Sequence, residues 1–317
     1  MKAVVGFDTS CYTTSVAAVS IEGEILSSRR RLLRVAQGER GLQQSEGLFQ
    51  HVSALPGLLQ EAMRDIAGCE VAAVCASVRP RPVEDSYMPV FRVGESHARA
   101  AASLLRVPFF SASHQEGHIR AARVDSGIAG EVFLALHLSG GTTELLLSRP
   151  GELRLLGGSM DLHAGQLVDR VGVRIGLSFP AGPEMERLAM AGKSQGLLKV
   201  SMRGIDCSLS GAETQMLRLL DAGSIAPQDA AAEVFSLLAR SILRMLLAAS
   251  ERTGVRQALL AGGVASSLHL RTLLQERIAK RRLPLELCFA RPEFAGDNAV
   301  GIALLGLEQL LKEETEA

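Results

Sequence analysis

Apolar and polar positions alternate in a way that divides the chain into strand-like and helix-like runs. Ala3 to Asp8 is an apolar run of strand length, and Ser15 to Ser20 and Glu24 to Leu33 read as two more strands with a turn at Glu22-Gly23. Ser45 to Ile66 puts Leu48, Val52, Leu55, Leu58, Leu59 and Met63 near helical spacing, and Pro56 inside it predicts a break or kink. Val71 to Ala76 reads as a buried strand. The prolines of Arg79-Pro80-Arg81-Pro82-Val83-Glu84-Asp85-Ser86 exclude a central strand there. Gly94 to Leu105 is alanine-rich and helical, and Val107 to Ser111 is a short strand leading into a further helix.

A second strand-rich start follows. Phe133 to Leu138 and Glu144 to Leu147 predict a hairpin around Ser139-Gly140-Gly141-Thr142-Thr143. Helical patterns cover Asp161 to Ile175, the stretch after Phe179-Pro180-Ala181-Gly182-Pro183, the stretch after Ser208-Leu209-Ser210-Gly211, and Pro227 to Thr253. Gln257 to Ala261 is a strand running into Gly262-Gly263-Val264-Ala265-Ser266-Ser267 and a helix; Leu285 to Phe289 is the last strand, and Arg291 to Asn298 opens the last helix. Two strand-rich starts, near residues 3 and 132, predict two related α/β lobes around a cleft. The first is expected to hold residues 1–106 and 293–317, the second 107–292. No repeat of solenoid period occurs.

Composition narrows this picture. The 317 residues carry 34 Lys+Arg against 34 Asp+Glu, so overall charge gives no footprint for nucleic acid and any such surface must be local. Arg29, Arg30, Arg31 and Arg34 form one basic cluster and Lys280, Arg281 and Arg282 another; a solvated face accounts for each. With no Trp and two Tyr, platforms for stacking bases are scarce. Five cysteines without CxxC spacing read as reduced thiols of a cytoplasmic protein. The N-terminus lacks a signal-peptide pattern, and no stretch approaches 18 uncharged apolar residues, so no membrane span is expected.

The stretch with the most chemistry is Ser113-His114-Gln115-Glu116-Gly117-His118. Histidines four apart share one helix face, so both imidazoles can reach one ion; iron, zinc, copper and nickel all suit imidazole. Solvated or structurally satisfied histidines are the simpler alternative. The metalloprotease pattern is excluded, because Gln115 stands where the general-base Glu is needed. His137 on the next strand could face that pair or simply pack, and Asp297 is either a helix cap or an oxygen ligand. The turns at Asp8-Thr9-Ser10-Cys11, Ser139-Gly140-Gly141 and Gly262-Gly263 can present backbone to an anion, the last through amides at a helix N-terminus; tight turns alone would also account for them.

In their order along the chain, Asp8-Thr9-Ser10-Cys11, the His114/His118 pair, Ser139-Gly140-Gly141, Asp169, Phe179 to Pro183, Ser208 to Gly211, Ala261 to Val264 and Arg291 to Asn298 resemble the motifs of the tRNA threonylcarbamoyladenosine transferase family. That resemblance implies a two-lobed actin-like ATPase fold of the ribonuclease H-like kind, one metal ion (iron or zinc), and ATP or threonylcarbamoyl-adenylate as ligand. It implies His114, His118 and Asp297 as metal ligands, with His137 as a fourth. Leu138, Ser139, Gly140, Gly141, Asp169 and Gly182 would bind the nucleotide, with Gly262 and Gly263 beside them. The implied reaction moves the threonylcarbamoyl group to N6 of adenosine 37 in tRNAs that read ANN codons, with a shorter actin-like paralogue and an ATPase as partners.

The departures are equally specific. Relatives carry Asp-Glu where Tyr12-Thr13 stand here, a Pro-Gly-Pro-Gly loop where Arg79 to Ser86 runs, a histidine at Thr142 and an asparagine at Ser267. No catalytic residue is assigned. Two functions follow as expectations: a metal-dependent transferase, or a divergent paralogue that binds nucleotide, metal and partners without transferring. A kinase of the same fold class, or an unrelated reaction, is the remaining alternative.

Overall fold

A computed structural model describes residues 1–35 and 42–316. The chain falls into two compact units, Met1–Val124 with Gly296–Ala317, and Asp125–Ala295. The boundary expected after residue 106 thus lies after Val124, and the return expected at 293 lies at Gly296. The reason is pairing: the strand and helix that follow residue 106 are bound to the first unit's sheet and C-terminal helix.

The first unit is built on a five-stranded sheet of order β3-β2-β1-β4-β5. Its strands are β1 (Lys2–Thr9), β2 (Thr13–Ser20), β3 (Ile25–Leu32), β4 (Glu70–Arg79) and β5 (Phe109–Ser113). β1 and β2 are buried along nearly their whole length, as strands covered on both faces must be. On one face Ala3, Val5 and Phe7 of β1 share a core with Leu55, Leu58 and Ala62 of α1 (Gln44–Asp65) and Ala98 of α2 (Phe91–Leu105). α1 runs unbroken through Pro56, so of the expected break or kink the break does not occur. Pro56 and Gly57 lie on its exposed side, where water can take the carbonyl that the proline leaves unpaired.

The opposite face carries α3 (His114–Arg123) and α9 (Val300–Glu316). Both lie close because glycines remove the side chains in between. A Cβ at Gly6 would come 2.5 Å from the Ala303 nitrogen, one at Gly117 2.5 Å from Ile302 Cδ1, and one at Gly301 would overlap the Gly117 carbonyl. α3 and α9 therefore meet backbone to backbone at Gly117 and Gly301.

The second unit has a five-stranded sheet of order β12-β11-β6-β7-β8. β6 (Phe133–Leu138), β7 (Thr143–Arg149) and β8 (Glu152–Gly158) form an antiparallel meander, and β11 (Gln257–Ala261) and β12 (Glu286–Phe289) join in parallel. α4 (Ala164–Arg174), α5 (Gly182–Ala191), α6 (Ser210–Asp221), α7 (Pro227–Thr253) and α8 (Leu268–Arg281) complete it, with a small hairpin of β9 (Ser201–Arg203) and β10 (Asp206–Ser208). α7 is almost wholly apolar on its buried side and is the spine of this unit's core. α4 starts at Ala164, three residues later than the sequence suggests. The Asp161 carboxylate instead accepts from the amides of Leu162 and Leu209 and from the Ser210 hydroxyl. Burial opposes its ionisation, but those bonds win and hold its pKa at about 2.

Candidate functional site

Ser113 ends β5 and caps α3: its hydroxyl accepts from the Glu116 amide, and Glu116 reaches back to the Ser113 amide at 2.7 Å. This capping box fixes the first turn of the helix, so His114 and His118 project from a rigid start. Glu116 is thereby a cap and not a stray surface acid. The Gly117–Gly301 contact then brings the segment before α9 against the two histidines. Ligand atoms of His114, His118 and Asp297 lie within 4.8 Å of one another, the one such group among the described residues. His118 Nε2 is 2.8 Å and His114 Nε2 3.7 Å from Asp297 Oδ1.

A second layer orients this triad. His114 Nδ1 lies 2.9 Å and 3.0 Å from the two oxygens of Asp8, which is fully buried and also accepts from the Ser77 hydroxyl at 2.5 Å. With Nδ1–H donated to Asp8, Nε2 of His114 is the atom turned toward Asp297. The Ser10 hydroxyl donates to Asp297 Oδ2. Ser10 is itself held by His51 of α1, whose Nε2–H donates to the Ser10 carbonyl while Nδ1 accepts from the Thr14 hydroxyl, both at 2.8 Å. Nothing local in the sequence marks Asp8, Ser10, Ser77 and His51 as supports of the triad. In the hydroxyl-rich turn after β1, expected to face an anion, Ser10 is directed at the triad, whereas the Thr9 hydroxyl donates to the Val90 carbonyl and accepts from the Gly94 amide. Thr13 is buried and Tyr12 exposed; the carboxylate behind His114 is Asp8, near the end of β1.

The charges are tightly balanced. Burial disfavours the charged form of His114, but the Asp8 carboxylate, by charge and hydrogen bond, and Asp297 outweigh it and lift the imidazole pKa to about 9. Burial likewise opposes ionisation of Asp297, yet the His118 hydrogen bond and the charges of both histidines hold it well below the usual carboxylate range. Burial keeps His51 below the ordinary histidine value, which suits its neutral bonding pattern. Two imidazoles and a carboxylate, with one imidazole set by a carboxylate behind it, form a donor set for a divalent transition metal; iron(II) and zinc both accept it. The donors fit such an ion, which would displace the proton from His114 Nε2. His137, expected as a fourth ligand, stands on β6 of the second unit opposite Glu144 and Ala261 and is not one of the triad.

The second unit holds a pocket of about 510 Å³, and of the residues expected at a nucleotide Gly140, Asp169, Gly182 and Gly263 line it. No atom lies within 4 Å of where a Cβ would stand on any of these three glycines, so their backbone is bare. The hairpin turn is closed by Ser139 N–H to the Thr142 carbonyl at 2.8 Å, and its Ser139 carbonyl accepts from the Gly165 amide at 3.1 Å. Gly165 makes this possible, because a Cβ there would sit 2.7 Å from Gly140 Cα. Asp169 accepts from the Ala181 amide at 2.8 Å and so ties α4 to the segment before α5; burial pushes its pKa up. Leu138 is core, Ser139 and Gly141 are turn residues, and Gly262 takes φ +98° where its backbone passes the Leu138 carbonyl. Phe179, from the motif Phe179 to Pro183, also lines the pocket, and so do Val168, Phe235 and Glu186, which carry no signal in the sequence.

One expectation changes here. Gly262-Gly263 does not open α8 directly: a 3-10 turn at Val264–Ser266 intervenes. The first-turn amides of α8 are then occupied, His269 N–H by Glu186 at 2.8 Å and Leu270 N–H by the Ser267 hydroxyl at 3.1 Å. Those two amides are not available to a phosphate; the bare backbone at Gly263 is.

The fold is that of the actin-like ATPase class. The chain superposes on HypF from T. kodakarensis with a TM-score of 0.63 at 14% identity, over 99% of this chain and 48% of that one. It superposes on component A of the (R)-2-hydroxyglutaryl-CoA dehydratase of Acidaminococcus fermentans with a TM-score of 0.57 at 15% identity, over 98% of this chain and 100% of that one. Residues 46–304 match the model of the tRNA N6-adenosine threonylcarbamoyltransferase family, and the chain belongs to that family. A Thermus thermophilus enzyme of that name is 33% identical over 313 residues, covering 95% of this chain and 91% of its own. A probable bifunctional tRNA threonylcarbamoyladenosine biosynthesis protein from Methanothermobacter thermautotrophicus is 32% identical over 302 residues; the match spans 95% of this chain and 54% of that longer protein.

Proposed function

We propose that this protein transfers a threonylcarbamoyl group from its adenylate to N6 of adenosine 37 in tRNAs that read ANN codons. The observation that carries the reading is the triad of His114, His118 and Asp297, preset by Asp8 and Ser10, in a chain that matches the transferase family over residues 46–304. In the reaction N6 forms a bond to the carbamoyl carbon, the bond from that carbon to the phosphate oxygen breaks, and AMP leaves as N6 gives up a proton.

A metal ion held by the triad, iron or zinc, supplies a Lewis acid when bound. The protein's own residues set the stage for it. Asp8 fixes the His114 tautomer and Ser10 fixes the Asp297 carboxylate, so the ligands need no reorganisation. In the pocket, Phe179, Val168 and Phe235 offer apolar surface to an adenine ring, the bare backbone at Gly140 and Gly263 suits phosphate oxygens, and Asp169 and Glu186 suit ribose hydroxyls.

Partners follow the same reading. α1 leaves Leu48, Phe49, Val52 and Met63 exposed on its outer side, a face suited to a helix of a shorter actin-like paralogue; an ATPase and tRNA complete the set. Among the described residues no helix is long and apolar enough to cross a membrane. All five cysteines are free, and the reducing cytoplasm is the setting that keeps them so.

The test supplies purified protein with threonylcarbamoyl-adenylate, an ANN-reading tRNA and the host's partner proteins, and reads modified adenosine by mass spectrometry. Product that disappears with His114→Ala is expected. Adenylate binding without product from the unaltered protein would overturn the transferase reading and leave a non-transferring paralogue.

A further inference from the structure

The mid-part of α7 and the C-terminal half of α8 carry four arginines with no function in the site above. Arg240 and Arg244 stand one turn apart on α7, and Arg277 and Arg281 one turn apart on α8. The two pairs meet at Ser236, which is buried: Arg240 Nε donates to its carbonyl at 3.2 Å and Arg277 Nη2 to its hydroxyl at 2.9 Å. Arg240 Nη2 donates further to the Leu198 carbonyl at 2.7 Å, while Arg277 Nε is buried and makes no hydrogen bond. Among the described residues none of the four is in an ion pair. Arg244 and Arg281 are exposed, and Lys280 and Arg282 extend the charge at the end of α8.

Helix-dipole complementarity explains cations in the last turn of α8. It does not explain Arg240 and Arg244, which lie in the middle of a 27-residue helix. Like charges at i,i+4 repel, and here two such pairs lie side by side with two guanidiniums half buried. Burial depresses both Arg240 and Arg277, and neighbouring arginines add to it; Glu233 beside Arg240 and Glu276 beside Arg277 are the acids that oppose this. One oxygen of Glu233 is taken by the amides of Gln195 and Leu197, and among the described residues neither Glu233 nor Glu276 makes an ion pair with an arginine of the cluster, whose outer members Arg244 and Arg281 are exposed. A concentration of guanidiniums held this way is stabilised by an anion with several oxygens, and guanidinium geometry matches phosphate in particular.

We propose that Arg240, Arg244, Arg277 and Arg281 form a binding site for the phosphate backbone of an RNA strand. The choice of RNA rests on the transferase reading above; the phosphate chemistry rests on the cluster alone. The whole chain has no net charge, so a patch of this kind supplies the local attraction that the composition lacks. Arg240 and Arg277 are positioned by Ser236 and Leu198, and Arg244 and Arg281 are the exposed outer contacts.

The experiment uses the full chain and a fluorescent ANN-reading tRNA, with anisotropy measured across a salt series. Arg244→Gln with Arg281→Gln changes only exposed side chains. It is expected to weaken binding about tenfold and to flatten the slope of log affinity against log salt by about 1.5, the share of two phosphate contacts. Arg149→Gln with Arg154→Gln removes the same charge from exposed positions on β7 and β8 and should leave affinity and slope unchanged. Inorganic phosphate, added as competitor at constant ionic strength, separates a free-anion site from an RNA site: displacement of tRNA at low millimolar phosphate would overturn the RNA assignment. Equal affinity and slope in both double variants, or no tRNA binding by the unaltered protein, would overturn the proposal. Threonylcarbamoyl-adenylate binding, followed on the same samples, reports on the transferase reading separately. Its absence with arginine-dependent RNA binding intact would count against that reading and for this site.

Discussion

The triad in the first unit consists of side chains that fix one another: Asp8 holds His114, Ser10 holds Asp297, and His51 holds Ser10. The pocket in the second unit consists of backbone that no side chain covers, at Gly140, Gly182 and Gly263. The first is specified by what each residue donates or accepts, the second by what each residue lacks. An error in the first should therefore show as a lost or misplaced charge, and an error in the second as a blocked space. Substitutions in each can test that difference.

The largest effect is expected at Gly301→Ala. The added methyl overlaps the Gly117 carbonyl, so α3 and α9 must separate and the triad with them. Unfolding by denaturant should show a loss of about 3 kcal/mol, the upper part of the range for overpacking, together with loss of bound metal by elemental analysis. Retention of both would mean that the close helix contact does not set the site. Next, Asp8→Asn keeps the shape and removes the charge behind His114. Metal affinity should fall about 10- to 100-fold while nucleotide affinity stays constant, as read by competition with a chelator and by calorimetry.

Gly165→Ala is the matching change in the second unit. Its methyl would meet the Gly140 backbone at 2.7 Å and push the hairpin turn into the pocket. Adenine-nucleotide affinity should fall about tenfold, roughly 1.4 kcal/mol, with metal content unchanged. If both affinities fell together, the two regions would not be separable by chemistry as described.

The smallest effect is in pH dependence. His114 has a folded-state pKa raised to about 9, so its contribution in the metal-free protein is full below pH 6.5 and is lost as pH rises toward 9. His51 is depressed, so its contribution is present above pH 6.5 and is lost as pH falls. The melting temperature of metal-free protein should decline on both sides of about pH 6.5. Metal should abolish the alkaline decline, because a ligand imidazole is neutral in the folded state, and should leave the acid side in place. An alkaline decline that persists with metal bound would argue against His114 as a ligand.

The two regions also differ in how far they can be read from sequence. Strand and helix periodicity predicts most elements of both sheets, because apolar runs and turn residues act locally. The histidine pair is visible for the same reason, since four-residue spacing means one helix face wherever the helix lies. Its supports are not. Asp8 and Ser77 lie 69 residues apart and Ser10 and His51 41 apart, and only the pairing of β1 with β4 and the packing of α1 bring them together. Gly117 and Gly301 look like ordinary helix residues until the crossing of α3 and α9 gives them a purpose. In the pocket the glycines are legible as turns, but Val168, Phe235 and Glu186 are not, because nothing local distinguishes a residue facing a pocket from one facing core or solvent. The boundary between the units falls later than expected because an alternation of strands and helices does not say which sheet a strand joins.

His118 and Asp297 are 179 residues apart in the chain, with the whole second unit between them. During translation at about 5–20 residues per second, the two histidines are made roughly 10 to 35 seconds before the carboxylate that completes their site. Through that interval the imidazoles form an incomplete donor set, and any ion they hold can be exchanged. On the function proposed above, metal choice is settled late, after the second unit has been synthesised. A chain cut short anywhere between His118 and Asp297 would carry both histidines and lack the triad.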